Sequence, residues 1–228
     1  SPVMTIPVQT DVGRVILLAG GQDRSTDPFW PTCNYLGNLA YTTFRQRRLT
    51  KEKIFYLNDR QRQDFDRDGF AEDVDDAATL PGLEAAWTWA KERVHADNPL
   101  YVYLVGEGHP DGLEIRPGEV VSAQSLADDL AALEAETGVR PLVIVEGSHT
   151  GHFVRELSKL GRQVVASADQ GPAYYQADGY LSFSQYFLTD LYQGKSVQEA
   201  FLHTHNILRN LPGGFGHQRP GVEAEGNQ

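Results

Sequence analysis

The feature that most constrains this chain is a series of short, fully apolar segments separated by longer amphipathic ones. The apolar segments span residues 14–19, 53–57, 100–105, 142–145 and 163–166. Strands that are apolar on both faces are typical of parallel sheets covered by helices on both sides. Helical periodicity marks residues 34–47, 83–94, 123–136, 151–160, 183–192 and 197–208. The pattern predicts an α/β three-layer sandwich, with a mostly parallel sheet of about six strands.

The length of 228 residues suits one domain with a well-buried core. We expect that domain over residues 13–211, after a linker at 1–12 and before an extended tail at 212–228, which is rich in Gly and Pro. The linker does not read as a signal peptide, and we expect the chain to be part of a larger protein. Polar residues that follow the predicted strands should meet at one edge of the sheet, where ligands bind in such folds.

Composition excludes several classes of function. The net charge of −11 argues against nucleic-acid binding, which needs clustered Lys and Arg. No apolar run of the required length is present, so we expect no membrane insertion. The one cysteine, Cys33, excludes an internal disulfide.

The sharpest local motif is an acidic loop at residues 64–75. Acidic residues occupy positions 1, 3, 5, 9 and 12 of this loop, and Gly69 occupies position 6. Calcium takes six to eight oxygen ligands, and alternate residues of a tight loop point to one centre. The spacing predicts a structural calcium ion held by Asp64, Asp66, Asp68, the Phe70 carbonyl, Glu72 and Asp75. The alternative is an acidic surface turn with no ion.

Several segments together resemble one enzyme family in their order along the chain. These segments are RVILLAGG, NYLGNLAYTTFRQR, KIFYLND, the acidic loop, ATLPGLEAAWTWA, YVYLVGEGHPDG, VIVEGSHTGHF, VVASAD and LSFSQYFLTDLYQGKSVQEAF. They are distributed over about four-fifths of the chain and resemble the bacterial legumain-like and clostripain-like cysteine peptidases of the caspase clan. The resemblance implies a caspase-like fold.

The same resemblance implies where the catalytic groups would lie. In that family the third strand ends in a His-Gly pair with the catalytic histidine, and the fourth ends in an Asp-Ala-Cys type of segment with the nucleophile. Alignment puts Glu107 at the histidine position and Ser148 at the cysteine position, and Cys33 matches neither. We therefore expect an inactive pseudo-peptidase that holds calcium and serves as a peptide-binding or scaffold module. Whether Ser148 is natural or engineered stays open.

Two alternative hypotheses place an active site at these strand ends, either a hydrolase dyad or a metal site. Ser148 and His109 would form a displaced serine hydrolase dyad, oriented by Glu107 or Asp111, because a serine needs a nearby base. Otherwise Glu107, His109, His149 and His152 would bind zinc or a similar ion.

Two further expectations come from the resemblance. Ser167 and Asp169 follow the fifth strand, where the family lines its substrate pocket, and an acidic residue there would favour Lys or Arg in a bound peptide. The family also implies a bacterial protein that is secreted or belongs to the cell envelope, although a cytoplasmic location stays open.

Overall fold

The computed structural model describes residues 12–158 and 162–223. Their strands and helices are, in chain order, β1 (Arg14–Ala19), α1 (Trp30–Gln46), β2 (Ile54–Asn58), α2 (Leu80–Lys91), β3 (Leu100–Val105), β4 (Glu107–His109), β5 (Gly112–Arg116), β6 (Glu119–Val121), α3 (Ala123–Thr137), β7 (Pro141–Glu146), α4 (Gly151–Leu157), β8 (Gln163–Ala166), α5 (Phe183–Tyr192), α6 (Val197–Asn210) and β9 (Gly221–Glu223). Short 3-10 helices lie at Lys51–Lys53 and Gly213–His217.

The main sheet has six strands in the order β2-β1-β3-β7-β8-β9. Its first five strands are parallel, and β9 runs antiparallel to β8. The predicted mostly parallel sheet of about six strands is confirmed. Strands β1, β3 and β7 are adjacent and parallel in the sheet, so the segments that follow them leave the sheet along one edge.

Alternation along the strands divides the core into two layers. On β1, Val15 and Leu17 contribute to a cluster with α1, α5 and α6, whereas Ile16 and Leu18 contribute to a cluster with α2, α3 and α4. All four side chains are fully buried. The predicted three-layer sandwich is therefore confirmed, because both faces of the sheet are covered.

Two helices begin earlier than their apolar periodicity suggested. Helix α1 starts at Trp30 rather than at 34, with Pro31 in its first turn. Helix α2 starts at Leu80 rather than at 83, because the Thr79 side chain caps it by accepting a hydrogen bond from Gly82 N. Proline is well tolerated in a first turn, where its missing N–H would have no partner.

Residues from 212 onward differ from the extended tail that we expected. Phe215, in the 3-10 helix Gly213–His217, is 3% exposed and belongs to the core, and β9 completes the main sheet. The domain therefore extends to Glu223, beyond the predicted boundary at 211. The predicted linker up to residue 11, the end of the predicted helix at 159–160, and residues 224–228 lie outside the described residues.

A second, three-stranded antiparallel sheet of β4, β5 and β6 follows β3 directly. The sequence analysis did not predict it, since its strands have only three to five residues and carry Glu, Gly and His. This small sheet carries Glu107 and His109. Among the described residues, no helix is both long and apolar enough to cross a membrane.

Candidate active site

The ends of β3 and β7 bring the two expected positions to one place. The strands are parallel neighbours, and Val105 pairs with Glu146 at their last residues. Beyond that pair, Gly106 N donates a hydrogen bond of 3.2 Å to the Glu146 carbonyl. Glu107 and Ser148 follow within two residues of these strand ends, as the family alignment implied.

The backbones of the two segments are in direct contact at Gly108. A Cβ atom on Gly108 would lie 1.8 Å from the Ser148 carbonyl oxygen and 2.4 Å from Ser148 N. No real Cβ contact is that short, so only glycine allows this approach. The close packing fixes β4 against the segment that carries Ser148.

Ser148 is half-buried, and its hydroxyl has a backbone partner. Its Oγ accepts a hydrogen bond of 3.1 Å from Ala173 N. Among the described residues, no imidazole accepts a hydrogen bond from this hydroxyl. A serine without a base in hydrogen-bond reach is a weak nucleophile.

The proposed partner His109 is engaged on the small sheet. Its Nε2 lies 3.5 Å from Glu114 Oε2, and Glu114 pairs with Glu107 across β4 and β5. Asp111 is exposed at the turn that joins these strands. The structure therefore brings His109 together with Glu114 and does not join it to Ser148 by a hydrogen bond.

A cleft with a volume of about 190 Å³ lies beside Glu107. Its walls carry groups of both charge signs, namely Arg24, Asp27, Glu107, Glu114 and Arg116, and Phe29 adds an aromatic surface. Arg116 forms an ion pair with Asp59. The cleft presents a mixed polar surface at the edge where the predicted catalytic positions lie.

The two histidines after β7 bind backbone carbonyls. His149 Nδ1 lies 2.5 Å from the Gln170 carbonyl, and His152 Nδ1 lies 2.5 Å from the His149 carbonyl. Across residues 12–158 and 162–223, a group of three or more metal-binding side chains forms only in the acidic loop. Glu107, His109, His149 and His152 are thus not gathered into one ligand set.

The two expected pocket residues differ in accessibility. Ser167 is fully buried, and its Oγ accepts a hydrogen bond of 3.0 Å from Gly147 N. Asp169 is exposed, and its carbonyl accepts a hydrogen bond from Gly151 N at the start of α4. Ser167 therefore holds the segment before Ser148 through Gly147 N, and it is not accessible to a ligand. Asp169 is accessible.

Beneath these strand ends lies a buried carboxylate that the sequence analysis missed. Glu146 is fully buried; it accepts hydrogen bonds of 2.8 Å from the Tyr175 hydroxyl and from Ser184 N. Burial raises the pKa of the Glu146 carboxyl. A charged residue that closes the otherwise apolar run of β7 was the signal that could have identified it.

The single thiol, that of Cys33, is not in the ionised form that a nucleophile needs. Cys33 is fully buried in α1, and burial, followed by the negative charges of Asp27, Glu146 and Glu107, raises its pKa well above the ordinary value. The thiol is therefore protonated at neutral pH, whereas attack requires the thiolate. This agrees with the alignment, which matched Cys33 to neither catalytic position.

The acidic loop brings together a different set of carboxylates from the one predicted. Ligand atoms of Asp64, Asp66 and Asp73 lie within 4.8 Å of one another. Asp73, at loop position 10, was not among the predicted ligands. It is 2% exposed and accepts hydrogen bonds from the Tyr41 hydroxyl, Phe65 N and Asp66 N.

The other predicted ligands of the loop are placed elsewhere or at its surface. The Asp75 carboxylate binds Lys51 Nζ and Tyr56 N, each at 2.8 Å, and so faces β2. Asp68 accepts a hydrogen bond from Phe70 N within the turn, and Glu72 is exposed. Periodicity alone could not show that the chain after Glu72 turns Asp73 inward.

Comparison with known proteins gives the fold and nothing narrower. No protein-family model matches the chain, and no curated protein matches it. Among solved structures, caspase-1 from Spodoptera frugiperda is similar, with a TM-score of 0.64 at 10% identity, over 95% of this chain and 87% of that chain. The chain therefore has the caspase-like fold that the resemblance implied, and the closer relationship to legumain-like or clostripain-like peptidases stays a prediction.

Proposed function

We propose that this chain is a caspase-fold pseudo-peptidase, a domain that has kept the peptidase framework without the catalytic pair. The observation that supports this most strongly is the position of Glu107 and Ser148, each two residues beyond the paired ends of β3 and β7, with the Gly108 backbone packed against Ser148. In this fold the chemistry needs a thiolate and an imidazole at that edge. A carboxylate and a hydroxyl occupy the two positions instead.

The surroundings of both positions support the absence of peptide hydrolysis. Activating a serine hydroxyl requires a base that accepts its proton. The Oγ of Ser148 accepts a hydrogen bond from Ala173 N, and among the described residues no imidazole accepts its proton, since that of His109 lies beside Glu114. A carboxylate at position 107 would also disfavour a second negative charge on an attacking group nearby.

We propose that the cleft beside Glu107 binds peptide without cutting it. Its mixed lining of Arg24, Asp27, Glu107 and Glu114 offers both donors and acceptors to a peptide backbone and its charged side chains. The domain would then act as a peptide-binding or scaffold module within a larger bacterial protein of the cell envelope or the secreted fraction.

We also propose that the acidic loop holds one structural calcium ion. Calcium prefers carboxylate oxygens, and Asp64, Asp66 and Asp73, whose ligand atoms lie close together, would supply part of its six to eight oxygen ligands. A bound cation would offset the mutual repulsion of these carboxylates and hold the segment between β2 and α2. Asp75 lies outside this ligand set in the proposal.

A peptide-library cleavage assay tests the loss of activity. We expect no turnover that depends on Ser148, so the native chain and Ser148→Ala should give the same background. A serine-directed fluorophosphonate should likewise leave Ser148 unlabelled. Cleavage or labelling that disappears in Ser148→Ala would support the hydrolase alternative and contradict the proposal.

Thermal unfolding with calcium and with a chelator tests the ion. At a free calcium concentration 100 times the dissociation constant, we expect stabilisation of about 2.7 kcal/mol. Asp64→Asn should remove this shift, and the exposed Asp97→Asn serves as the matched control. The calcium proposal fails if the melting temperature is the same in both buffers.

A further inference from the structure

A second cavity, of about 380 Å³, lies where α1 ends against the acidic loop. Its lining comes from the last turns of α1, the following residues Leu49 and Thr50, the loop residues Phe65 and Asp66, and Tyr192 at the end of α5. It shares no lining residue with the cleft beside Glu107.

The side of this cavity formed by the end of α1 is basic, whereas the opposite side belongs to the acidic loop. Residues 45–53 read RQRRLTKEK, with five basic residues and one acidic residue, although the whole chain has a net charge of −11. Arg45 and Arg48 both line the cavity. A local reversal of charge at a concave surface favours an anionic ligand.

Arg48 adopts a backbone conformation that its side chain does not favour. Its φ of 71° lies in the left-handed region, directly after the cap residue of α1. Glycine or asparagine usually occupies this position, because a larger side chain crowds its own backbone there. The guanidinium of Arg48 is exposed, and no residue in the described ranges accepts a hydrogen bond from it. An unfavourable arginine without a structural partner suggests that its side chain serves a ligand.

The second arginine is held at the same wall by the acidic loop. One terminal nitrogen of Arg45 lies 3.1 Å from Asp66 Oδ2. A guanidinium has five N–H donors, so this contact leaves donors for another oxyanion. Asp66 thereby positions Arg45 and also lowers the net positive charge of the cavity.

Aromatic side chains form another part of the wall. Tyr192 is 43% exposed, and Phe65, which lines the same cavity, is partly buried. An aromatic ring of a ligand could stack on such a surface while its acidic group meets the arginines.

We propose that this cavity binds an oxyanion carried on an aromatic ring, either an aryl phosphate or an aryl carboxylate. The planar fork of arginine matches both groups with two parallel hydrogen bonds. Arg48 supplies the unpaired fork, Arg45 supplies additional donors, and Tyr192 and Phe65 hold the ring. The site shares no lining residue with the cleft beside Glu107. It shares Asp66 with the proposed calcium site, so its ligand binding is tested in the absence of calcium.

Titration followed by NMR, in buffer with a chelator, tests the site with phenyl phosphate, benzoate and inorganic phosphate. We expect an aryl oxyanion to bind more tightly than inorganic phosphate. Tighter binding of phenyl phosphate than of benzoate identifies the ligand class as a phosphate, and the reverse order identifies it as a carboxylate. Absence of binding by both aryl anions overturns the proposal, and equal binding of inorganic phosphate overturns the role of the aromatic wall.

Arg48→Gly separates binding from folding. Glycine relieves the left-handed conformation, so the variant should melt at the same or a higher temperature, while its dissociation constant rises about tenfold or more through the lost charged hydrogen bonds. Asp66→Asn should lower the dissociation constant, since it releases Arg45. Arg140→Ala, at an exposed arginine outside the cavity, is the control and should bind as the native chain does. Unchanged binding in Arg48→Gly contradicts the assignment.

Discussion

The strand-end region, where Gly106 and Gly147 follow β3 and β7, and the acidic loop are held in place by different forces. In the strand-end region, the backbone of Gly108 lies against Ser148, and the buried Glu146 accepts hydrogen bonds from the Tyr175 hydroxyl and Ser184 N. In the loop, Gly69 has no atom within 4 Å of its would-be Cβ, and the turn depends on carboxylates that accept backbone hydrogen bonds. Packing thus determines the geometry of the strand-end region, whereas charge determines that of the loop.

This difference teaches which parts of the molecule tolerate change. A packed site keeps its shape after its catalytic groups are lost, because the surrounding contacts do not depend on them. A charged loop depends on its counterions, and it should respond to the ionic composition of the buffer. The cleft can therefore remain a binding surface while the loop acts as a separate point of stabilisation.

Gly108→Ala should have the largest effect on the free energy of unfolding, because its new Cβ clashes with the closely packed Ser148 backbone. The added Cβ would lie 1.8 Å from the Ser148 carbonyl oxygen, so one backbone must move. We expect a loss of roughly 3 kcal/mol in the free energy of unfolding, the upper part of the range for overpacked sites. Chemical denaturation measures it. A loss below that of Gly69→Ala would show that the contact is not tight in solution.

Asp73→Asn should have the next largest effect on the free energy of unfolding, because it removes the buried carboxylate of the acidic loop. Asp73 is buried and accepts hydrogen bonds from the Tyr41 hydroxyl, Phe65 N and Asp66 N. An amide has fewer acceptor sites, so we expect a loss of roughly 2 kcal/mol in a chelator-containing buffer. The exposed Asp68→Asn is the matched control and should cost much less. Equal losses for the two variants would contradict the central role of Asp73.

The pH dependence of stability sharpens the comparison further. Burial raises the pKa of Glu146 in the folded state, so the native protein holds this proton more tightly than the unfolded chain. The resulting stability is present in full below the ordinary carboxyl pKa, and it is lost as pH rises through the raised value. The slope from one group is at most about 1.4 kcal/mol per pH unit. Glu146→Gln should remove this loss, which denaturation curves across the acidic to neutral range would detect as a flatter profile.

Gly69→Ala should have the smallest effect of the series. Open space surrounds the position, so the cost comes from its φ of 93° alone. A left-handed conformation costs a residue with a side chain roughly 1 kcal/mol. Thermal unfolding in chelator measures it. A cost as large as that of Gly108→Ala would mean that the loop is as tightly packed as the cleft.

The parts of the fold that periodicity determines were predictable from the sequence. The apolar runs predicted β1, β3 and β8 residue for residue, since a parallel strand covered on both faces carries apolar side chains on both sides after its first residue. The small sheet of β4, β5 and β6 was not predictable in that way, because its strands are too short to show a period. Strand β9 was not predicted, because the glycine and proline residues in and around it are typical of loops.

The candidate site was predictable only in part, for a physical reason. Alignment placed Glu107 and Ser148 at neighbouring strand ends, and the structure agrees with this placement. The partners of each side chain depend on contacts between segments far apart in the chain, such as Ser148 with Ala173 or Asp73 with Tyr41. Local sequence carries no signal for such contacts.

The most direct measurement of the central claim is the reactivity of a thiol placed at position 148. Ser148→Cys would be alkylated with iodoacetamide at neutral pH in three backgrounds: the native Glu107, Glu107→Gln and Glu107→His. If positions 107 and 148 share one cleft, the rate should rise in that order, because removing a nearby negative charge and then adding an imidazole favours the thiolate. Equal rates in all three backgrounds would show that the two side chains do not meet, and would contradict the account.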